Sequence, residues 1–267
     1  MSENIKAVFF DIDGTLRSFK TKKVSKKTIE ALKKLQDKGI KIFISTGRAP
    51  LSIDLIEDLK KIDFDGYVTI TGQYCYDKFG KVIYEKFLER SEIENFIPYA
   101  KKNNIACAFV ELGRYYFNLK NSLVDRLQKE IGASDKHFSK ILPIEEALDN
   151  KIYQFNTFTT LEEELEILKL MPNSKSARWL DYCNDIIPKD GGKDNGIKNV
   201  IAHYNIKQSE TMSFGDGGND IDMLKFTHIG VAMGNAKDDV KKEADFVTKS
   251  VDDEGIEYAL KHFGLID

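Results

Sequence analysis

The sequence predicts an α/β fold, a parallel sheet interrupted by an inserted α+β block, and three observations predict it. A short apolar strand, Ala7-Val8-Phe9-Phe10, is followed by a helix and a second apolar strand, Ile40-Lys41-Ile42-Phe43-Ile44. From residue 194 onward the same strand–turn–helix alternation returns. Between these ends lies a segment whose helices and strands follow no such alternation, the mark of an insertion.

The first strand is continuous and aromatic-rich, as a strand buried on both faces should be. It runs into Asp11-Ile12-Asp13-Gly14-Thr15-Leu16. A helix is expected next, with Ser25 as N-cap, Val24 and Ile29 as hydrophobic staple, and Gly39 as its end. Ile29, Leu32 and Leu35 form its apolar stripe. Strand, helix and strand make a βαβ unit, so the two strands should be parallel with a right-handed crossover. The turn Ser45-Thr46-Gly47-Arg48 follows. Residues 64–84 read as strands joined by a Lys78-Phe79-Gly80 hairpin turn. The middle block then reads as helix 91–103, strands 106–111 and 115–119, helix 122–131, strand 152–158 and helix 161–170. The closing part reads as helix 194–204, strand 211–214, a polar turn over 215–220, a helix from 221, strand 229–233, helix 236–244, strand 246–247 and helix 254–263. The expected domains are a core of 1–85 with 188–267 and an inserted domain of 86–187.

Composition narrows the function classes. The 267 residues are 42% hydrophobic with only five prolines, an ordinary globular balance. Net charge is −3, from 40 basic and 43 acidic residues, so no nucleic-acid partner is expected. The lysine pairs 22–23, 26–27 and 33–34 fit a solvated helix face. Met1-Ser2-Glu3-Asn4 enters the first strand directly, so no signal peptide is expected, and no apolar run approaches the roughly 18 residues that span a membrane. Cys75, Cys107 and Cys183 are widely spaced without a C-x-x-C pair, which fits reduced, buried thiols in a cytoplasmic protein. His137, His203, His228 and His262 lack ligand spacing, so zinc is not expected. A monomer or weak homo-oligomer is expected.

Chemistry concentrates at the C-terminal ends of the predicted strands, where open α/β sheets bind ligands. Asp11 and Asp13 close the first strand. Two carboxylates this close repel, and both stay charged only beside a cation, a hard one with oxygen ligands such as Mg²⁺. An Asx-rich turn is the alternative. Thr46-Gly47-Arg48 ends the second strand, Asp216 follows another, and Lys193 precedes a helix after Gly191-Gly192. Carboxylates, a hydroxyl and a lysine at one sheet edge suit phosphoryl transfer, in which a carboxylate can be the covalent nucleophile. Each has a plainer reading: Thr46-Gly47 as a turn, Arg48 as a surface ion pair, Asp220 as a helix cap. Lys189 competes with Lys193.

With these residues in view, the chain resembles the haloacid dehalogenase superfamily of phosphatases, and within it the Cof-type sugar-phosphatase branch. Four motifs match in order: Asp11-Ile12-Asp13-Gly14-Thr15-Leu16, Ser45-Thr46-Gly47-Arg48, Lys193, and Gly215-Asp216-Gly217-Gly218-Asn219-Asp220. Ile229-Gly230-Val231-Ala232-Met233-Gly234-Asn235-Ala236 also reads like this branch. The resemblance implies a Rossmann-like parallel-sheet core and an inserted α+β cap domain that sets specificity. It implies a Mg²⁺-dependent phosphatase acting on a small-molecule phosphate ester, with Asp11 as nucleophile and metal ligand. Asp13 would be the acid/base and a metal ligand through its backbone carbonyl, and Asp216 the third ligand. Ile12, Thr46, Gly47, Arg48 and Asn219 would contact phosphate or substrate, Lys193 would neutralise Asp11 and phosphate, and Asp220 would support metal-bound water or Lys193. One departure is clear: Thr71-Gly72-Gln73 stands where the branch has Asn-Gly. Arg178, Trp179, Tyr182, Asn184 and Asp185 are candidates to face a sugar's hydroxyls. The alternatives are a phosphohexomutase on the same scaffold and a non-enzymatic, receiver-like phospho-acceptor.

Overall fold

The computed structural model describes residues 4–131 and 140–267, with only the backbone of Ile131 and Trp179, so His137 lies outside the described residues. The elements begin β1 (Ala7–Phe10), α1 (Lys26–Asp37), β2 (Lys41–Ser45), α2 (Pro50–Ile53), β3 (Gly66–Thr69), β4 (Tyr74–Asp77) and β5 (Val82–Glu85). Next come α3 (Arg90–Lys102), β6 (Ala106–Val110), β7 (Tyr115–Phe117), α4 (Ser122–Ile131), β8 (Gln154–Phe158), α5 (Leu161–Leu170), β9 (Ser174–Leu180) and β10 (Cys183–Pro188). The chain closes with α6 (Lys193–His203), β11 (Thr211–Gly215), α7 (Ile221–Phe226), β12 (Ile229–Ala232), α8 (Asp238–Lys242), β13 (Phe246–Val247) and α9 (Gly255–His262). These form two compact units, Met1–Glu85 with Gly192–Asp267, and Lys86–Gly191.

The first unit is built on an eight-stranded sheet in the order β13-β12-β11-β1-β2-β3-β4-β5. Pairing is parallel from β13 to β3, and only the β3-β4-β5 edge is antiparallel. β1 sits inside the sheet, with Ala7 opposite both Lys41 and Thr211. Its four residues are all buried, because alternate side chains enter different cores. Phe9 stacks on Phe43 with ring centroids 4.8 Å apart and packs with Ile197 and Val200 of α6. Phe10 stacks on Phe214 at 5.1 Å and belongs to the core with Leu32 and Leu35 of α1 and Leu260 of α9. Helices therefore cover both faces of the parallel strands, which is why those strands read as unbroken apolar runs.

α1 forms as its punctuation predicts. Ser25 Oγ accepts from Thr28 N at 3.0 Å and donates to Glu254 Oε2 at 2.6 Å, so the cap also joins the two ends of the sequence. Past the helix, Gly39 takes φ +77, left-handed backbone that glycine enters without a Cβ penalty.

The second unit has a five-stranded antiparallel sheet, β7-β6-β8-β10-β9. Ile93, Phe96 and Ile97 of α3 and Ile167 of α5 pack with Cys107, Phe109, Phe155 and Ile186. Val124 and Leu127 of α4 pack with Ala106, Ala108, Phe158 and Cys183. Strands β9 and β10 were not foreseen, since Ser174-Lys175-Ser176-Ala177-Arg178 carries no apolar run. The 115–119 strand stops at Phe117, because Asn118 Oδ1 accepts from the Cys107 and Leu119 amides at 2.8 and 2.9 Å. The helix expected over 236–244 shortens to α8. All three cysteines are buried thiols. Among the described residues no helix is long and apolar enough to cross a membrane.

Ser25→Ala removes the α1 cap and the link to Glu254. It is expected to lower stability by about 1 kcal/mol in urea titration, with the slope of the transition unchanged.

Candidate active site

Three neighbouring parallel strands, β11, β1 and β2, end at the same edge of the sheet and deliver Asp216, Asp11 and Thr46 there. From β1 the sheet grows one way through β2 and β3, and from β11 the other way through β12 and β13. The boundary between β1 and β11 is thus a topological switch point, where the connecting loops part and leave a crevice. Lys193, the first residue of α6, follows Gly192 at φ +127.

The Lys193 side chain is fully buried, and its Nζ donates to Asp11 Oδ1 at 2.7 Å and to Asp220 Oδ1 at 2.5 Å. The second oxygen of Asp220 accepts from the amides of Asp216 and Gly217 at 2.9 and 2.8 Å. Asp216 accepts from Thr15 Oγ1 at 2.9 Å and from Asn235 Nδ2 at 3.2 Å, and that amide also donates to Gly14 O at 2.9 Å. Gly14 must be glycine: its φ is +87, and a Cβ would lie 2.1 Å from Asp216 Oδ2. Carboxylate oxygens of Asp11, Asp216 and Asp220 all lie within 4.8 Å of one another.

Three carboxylates around one ammonium leave two negative charges uncompensated. Burial pushes the Asp11 carboxyl up to about 7; Lys193 opposes that rise and the charges of Asp220 and Asp13 add to it. Asp216 is raised well above the usual carboxylate range by burial and by the charges of Asp11 and Asp220. Burial works against the Lys193 charge, yet the two carboxylates it touches outweigh that and hold it protonated. A divalent cation would supply the missing charge, and an all-oxygen donor set suits a hard one. Asp220 is already paired with the Lys193 ammonium and two backbone amides, whereas Asp216 accepts only from the neutral Thr15 and Asn235 side chains, so Asp11 and Asp216 are the side chains best placed to hold the ion.

Asp13 behaves differently. Its carboxylate accepts from Arg48 Nε at 2.5 Å, Arg48 Nη2 at 2.9 Å and Arg17 Nη1 at 3.2 Å. Burial opposes its charge, but Arg48 and then Arg17 hold the carboxyl below its ordinary value. The expectation that the two aspartate side chains clamp one cation is therefore corrected. After Phe10 the chain leaves the strand and turns over Ile12, whose carbonyl accepts from Arg17 N at 2.7 Å, so alternation no longer puts the two side chains together.

The remaining candidates divide. Thr46 is buried, with its Oγ1 accepting from Arg48 N at 3.2 Å, and Ile12 is buried in the turn that follows β1. Gly47 is half-buried. Asn219 lies in the 3₁₀ turn Gly218–Asp220, folded over Gly217. Lys193, and not Lys189, meets Asp11; Lys189 is an exposed residue of the second unit. Arg178 is occupied by Glu164 and by the carbonyls of Thr159, Leu180 and Asp181. Asn184, fully buried, bonds Thr157, Thr159 and Ser176. Tyr182 donates to Glu130 under the Arg126 guanidinium. These three are framework rather than sugar-facing groups, and Asn184 and Asp185, adjacent on β10, necessarily point to opposite faces. The Trp179 side chain lies outside the described residues. Sequence reading missed Asn235, Thr15 and Arg17; Asn235 was detectable as the polar residue just past the next parallel strand.

Asp220→Ala strips Lys193 of one partner and orphans two part-buried amides. A loss of about 3 kcal/mol is expected in equilibrium unfolding, larger than for substitution of an exposed aspartate such as Asp238.

The sequence profile of the haloacid dehalogenase-like hydrolases matches residues 8–260. A solved structure described as the HAD subclass IIB sugar phosphatase BT4131 is 41% identical, with TM-score 0.88, over 98% of this chain and 100% of that one. The HAD-superfamily phosphatase BT1666 of Bacteroides thetaiotaomicron is 35% identical, with TM-score 0.89, over 98% of this chain and 96% of that one. The Bacillus subtilis protein named "Putative phosphatase YkrA" is 31% identical over 98% of each chain. The chain belongs to the haloacid dehalogenase-like hydrolases, and within them it is a phosphatase of the Cof-type branch that its four motifs resemble.

Proposed function

We propose that this protein hydrolyses the phosphate monoester of a small metabolite, a sugar phosphate, through an aspartyl phosphate on Asp11, with Mg²⁺ as cofactor. The observation that carries this reading is the Lys193 ammonium shared between Asp11 and Asp220 inside a charge-deficient carboxylate cluster. The sugar is proposed because a relative of nearly the same length is described as a sugar phosphatase.

Asp11 Oδ1 is fixed by Lys193, which orients the carboxylate for attack. Its oxygen bonds to phosphorus as the P–O ester bond breaks, and the leaving alcohol takes a proton from Asp13. Water then attacks the acyl phosphate, giving inorganic phosphate and the Asp11 carboxylate, while Asp13 takes the water proton. A carboxyl gripped by Arg17 and Arg48 does not keep a proton, so acid duty requires Asp13 to leave that grip. Thr46 Oγ1, the amides of Ile12 and Gly47, Arg48 and Asn219 hold the phosphoryl oxygens and substrate, and Lys193 offsets their charge. Asp11, Asp216 and the Asp13 carbonyl would hold Mg²⁺, which would supply positive charge to neutralise the phosphoryl group. Asp220 keeps Lys193 in place, and the inserted domain sets specificity. Buried thiols and a nearly balanced charge favour a cytoplasmic enzyme, monomeric or weakly associated, acting on small molecules.

Asp11→Asn is expected to lower kcat for sugar phosphates by roughly 10³-fold or more with fold retained; substantial residual hydrolysis would overturn the nucleophile assignment. Chelation should abolish turnover and added Mg²⁺ restore it. Asp13→Ala should slow alkyl phosphates by roughly 10²–10⁴-fold and p-nitrophenyl phosphate much less, whereas equal losses would remove its acid role.

A further inference from the structure

The turn after β3 is backbone under strain. Ile70 and Thr71 have φ of +51 and +52, and Gly72 follows at +87. Left-handed backbone is rare for any residue with a Cβ and most crowded for β-branched ones, so two in succession persist only where neighbours dictate the shape. Both are buried, at 0% and 1% exposure, so solvent does not relax them.

The neighbours that dictate it are two loops of the candidate site. On one side Thr71 N donates to Thr46 O and Ile70 N to Arg48 O, each at 3.0 Å. On the other side Gly72 lies against the backbone that carries Lys193: a Cβ at 72 would stand 1.9 Å from Gly192 O and 3.1 Å from Lys193 N. Gly196, one turn into α6, approaches so closely that its own Cβ would lie 2.9 Å from Gly72 Cα. Below the turn Gln73 is fully buried; its Nε2 donates to Thr71 O at 3.1 Å, while its Oε1 accepts no hydrogen bond among the described residues.

We propose that Ile70, Thr71 and Gly72 form a positioning wedge, whose left-handed shape sets the spacing between the Thr46–Arg48 loop and the Lys193 end of α6. None of the three touches reacting atoms. Their side chains matter because a Cβ branch at 70 and 71 allows that backbone few other conformations once it is seated. The unsatisfied Gln73 carbonyl is a further cost accepted at this turn. This inference rests on the phosphatase reading for its kinetic consequence but not for its structural one.

The test is Thr71→Gly, which relieves strain and frees the backbone, compared with Thr71→Asn, which tolerates left-handed backbone but stays stiffer. The probe substrate is p-nitrophenyl phosphate. Thr71→Gly is expected to keep its melting temperature within about 3 °C and KM within about threefold, to lose about tenfold in kcat, and to regain most of it in Thr71→Asn. Amide exchange should quicken in peptides covering 46–49 and 192–197 and stay unchanged in β12. Gly72→Ala, set against Gly80→Ala, separates wedge from strain. Both glycines have φ above +80, but nothing lies within 4 Å of a Cβ at 80, so only the change at 72 should depress kcat. Wild-type kcat in Thr71→Gly, quickened exchange confined to 70–73, or equal kcat losses at 72 and 80 would each overturn the wedge. An inactive wild type would instead sink the phosphatase reading, and the exchange data would still decide the wedge.

Discussion

Moving an ammonium ion out of water into a protein interior costs several kcal/mol, and the same holds for each carboxylate that accompanies it. Lys193 incurs that cost only because Asp11 and Asp220 lie within hydrogen-bond distance of its Nζ. The rest of the site is arranged around that pairing. Asp220 ties the ammonium to the amides of Asp216 and Gly217, Asp216 is steadied by Thr15 and Asn235, and Gly14 is reduced to a hydrogen so that Asp216 fits. Two strands, one helix and three loops thus meet at a single buried positive charge.

That charge is not enough for the carboxylates around it. Burial, with too few cations nearby to offset it, raises Asp11 and Asp216, whereas Arg48 and Arg17 enclose Asp13 and hold it down. Aspartates two residues apart thereby acquire opposite electrostatic environments. A divalent ion beside Asp11 and Asp216 would complete the balance.

Legibility differed by element for physical reasons. β1 and β2 are central parallel strands covered on both faces, so their apolar runs announced them, and Ser25 announced α1 through a local bond. β9 and β10 went unread because Ser176, Arg178 and Asn184 on them join a polar lattice with Thr157 of β8, a pattern that imitates a loop. The same lattice explains why Arg178 and Asn184 looked like ligand-binding groups: a polar residue in a sequence carries no mark of whether its partner is a sugar or another strand.

By itself, the sequence determined the strands of the parallel core, the motifs at their C-terminal ends and the presence of an inserted block, because strand and helix periods and turn residues are local properties. It also singled out Asp11, Thr46, Lys193 and Asp216, each placed at an element boundary. Only the tertiary structure decided which of these share space. It set Lys193 between Asp11 and Asp220, turned Asp13 toward two arginines, enlisted Asn235 from a neighbouring strand and strained Ile70 and Thr71 between two loops. Those outcomes depend on contacts between residues as many as 221 positions apart, and on burial, which strengthens charge pairing while making each unpaired charge costly.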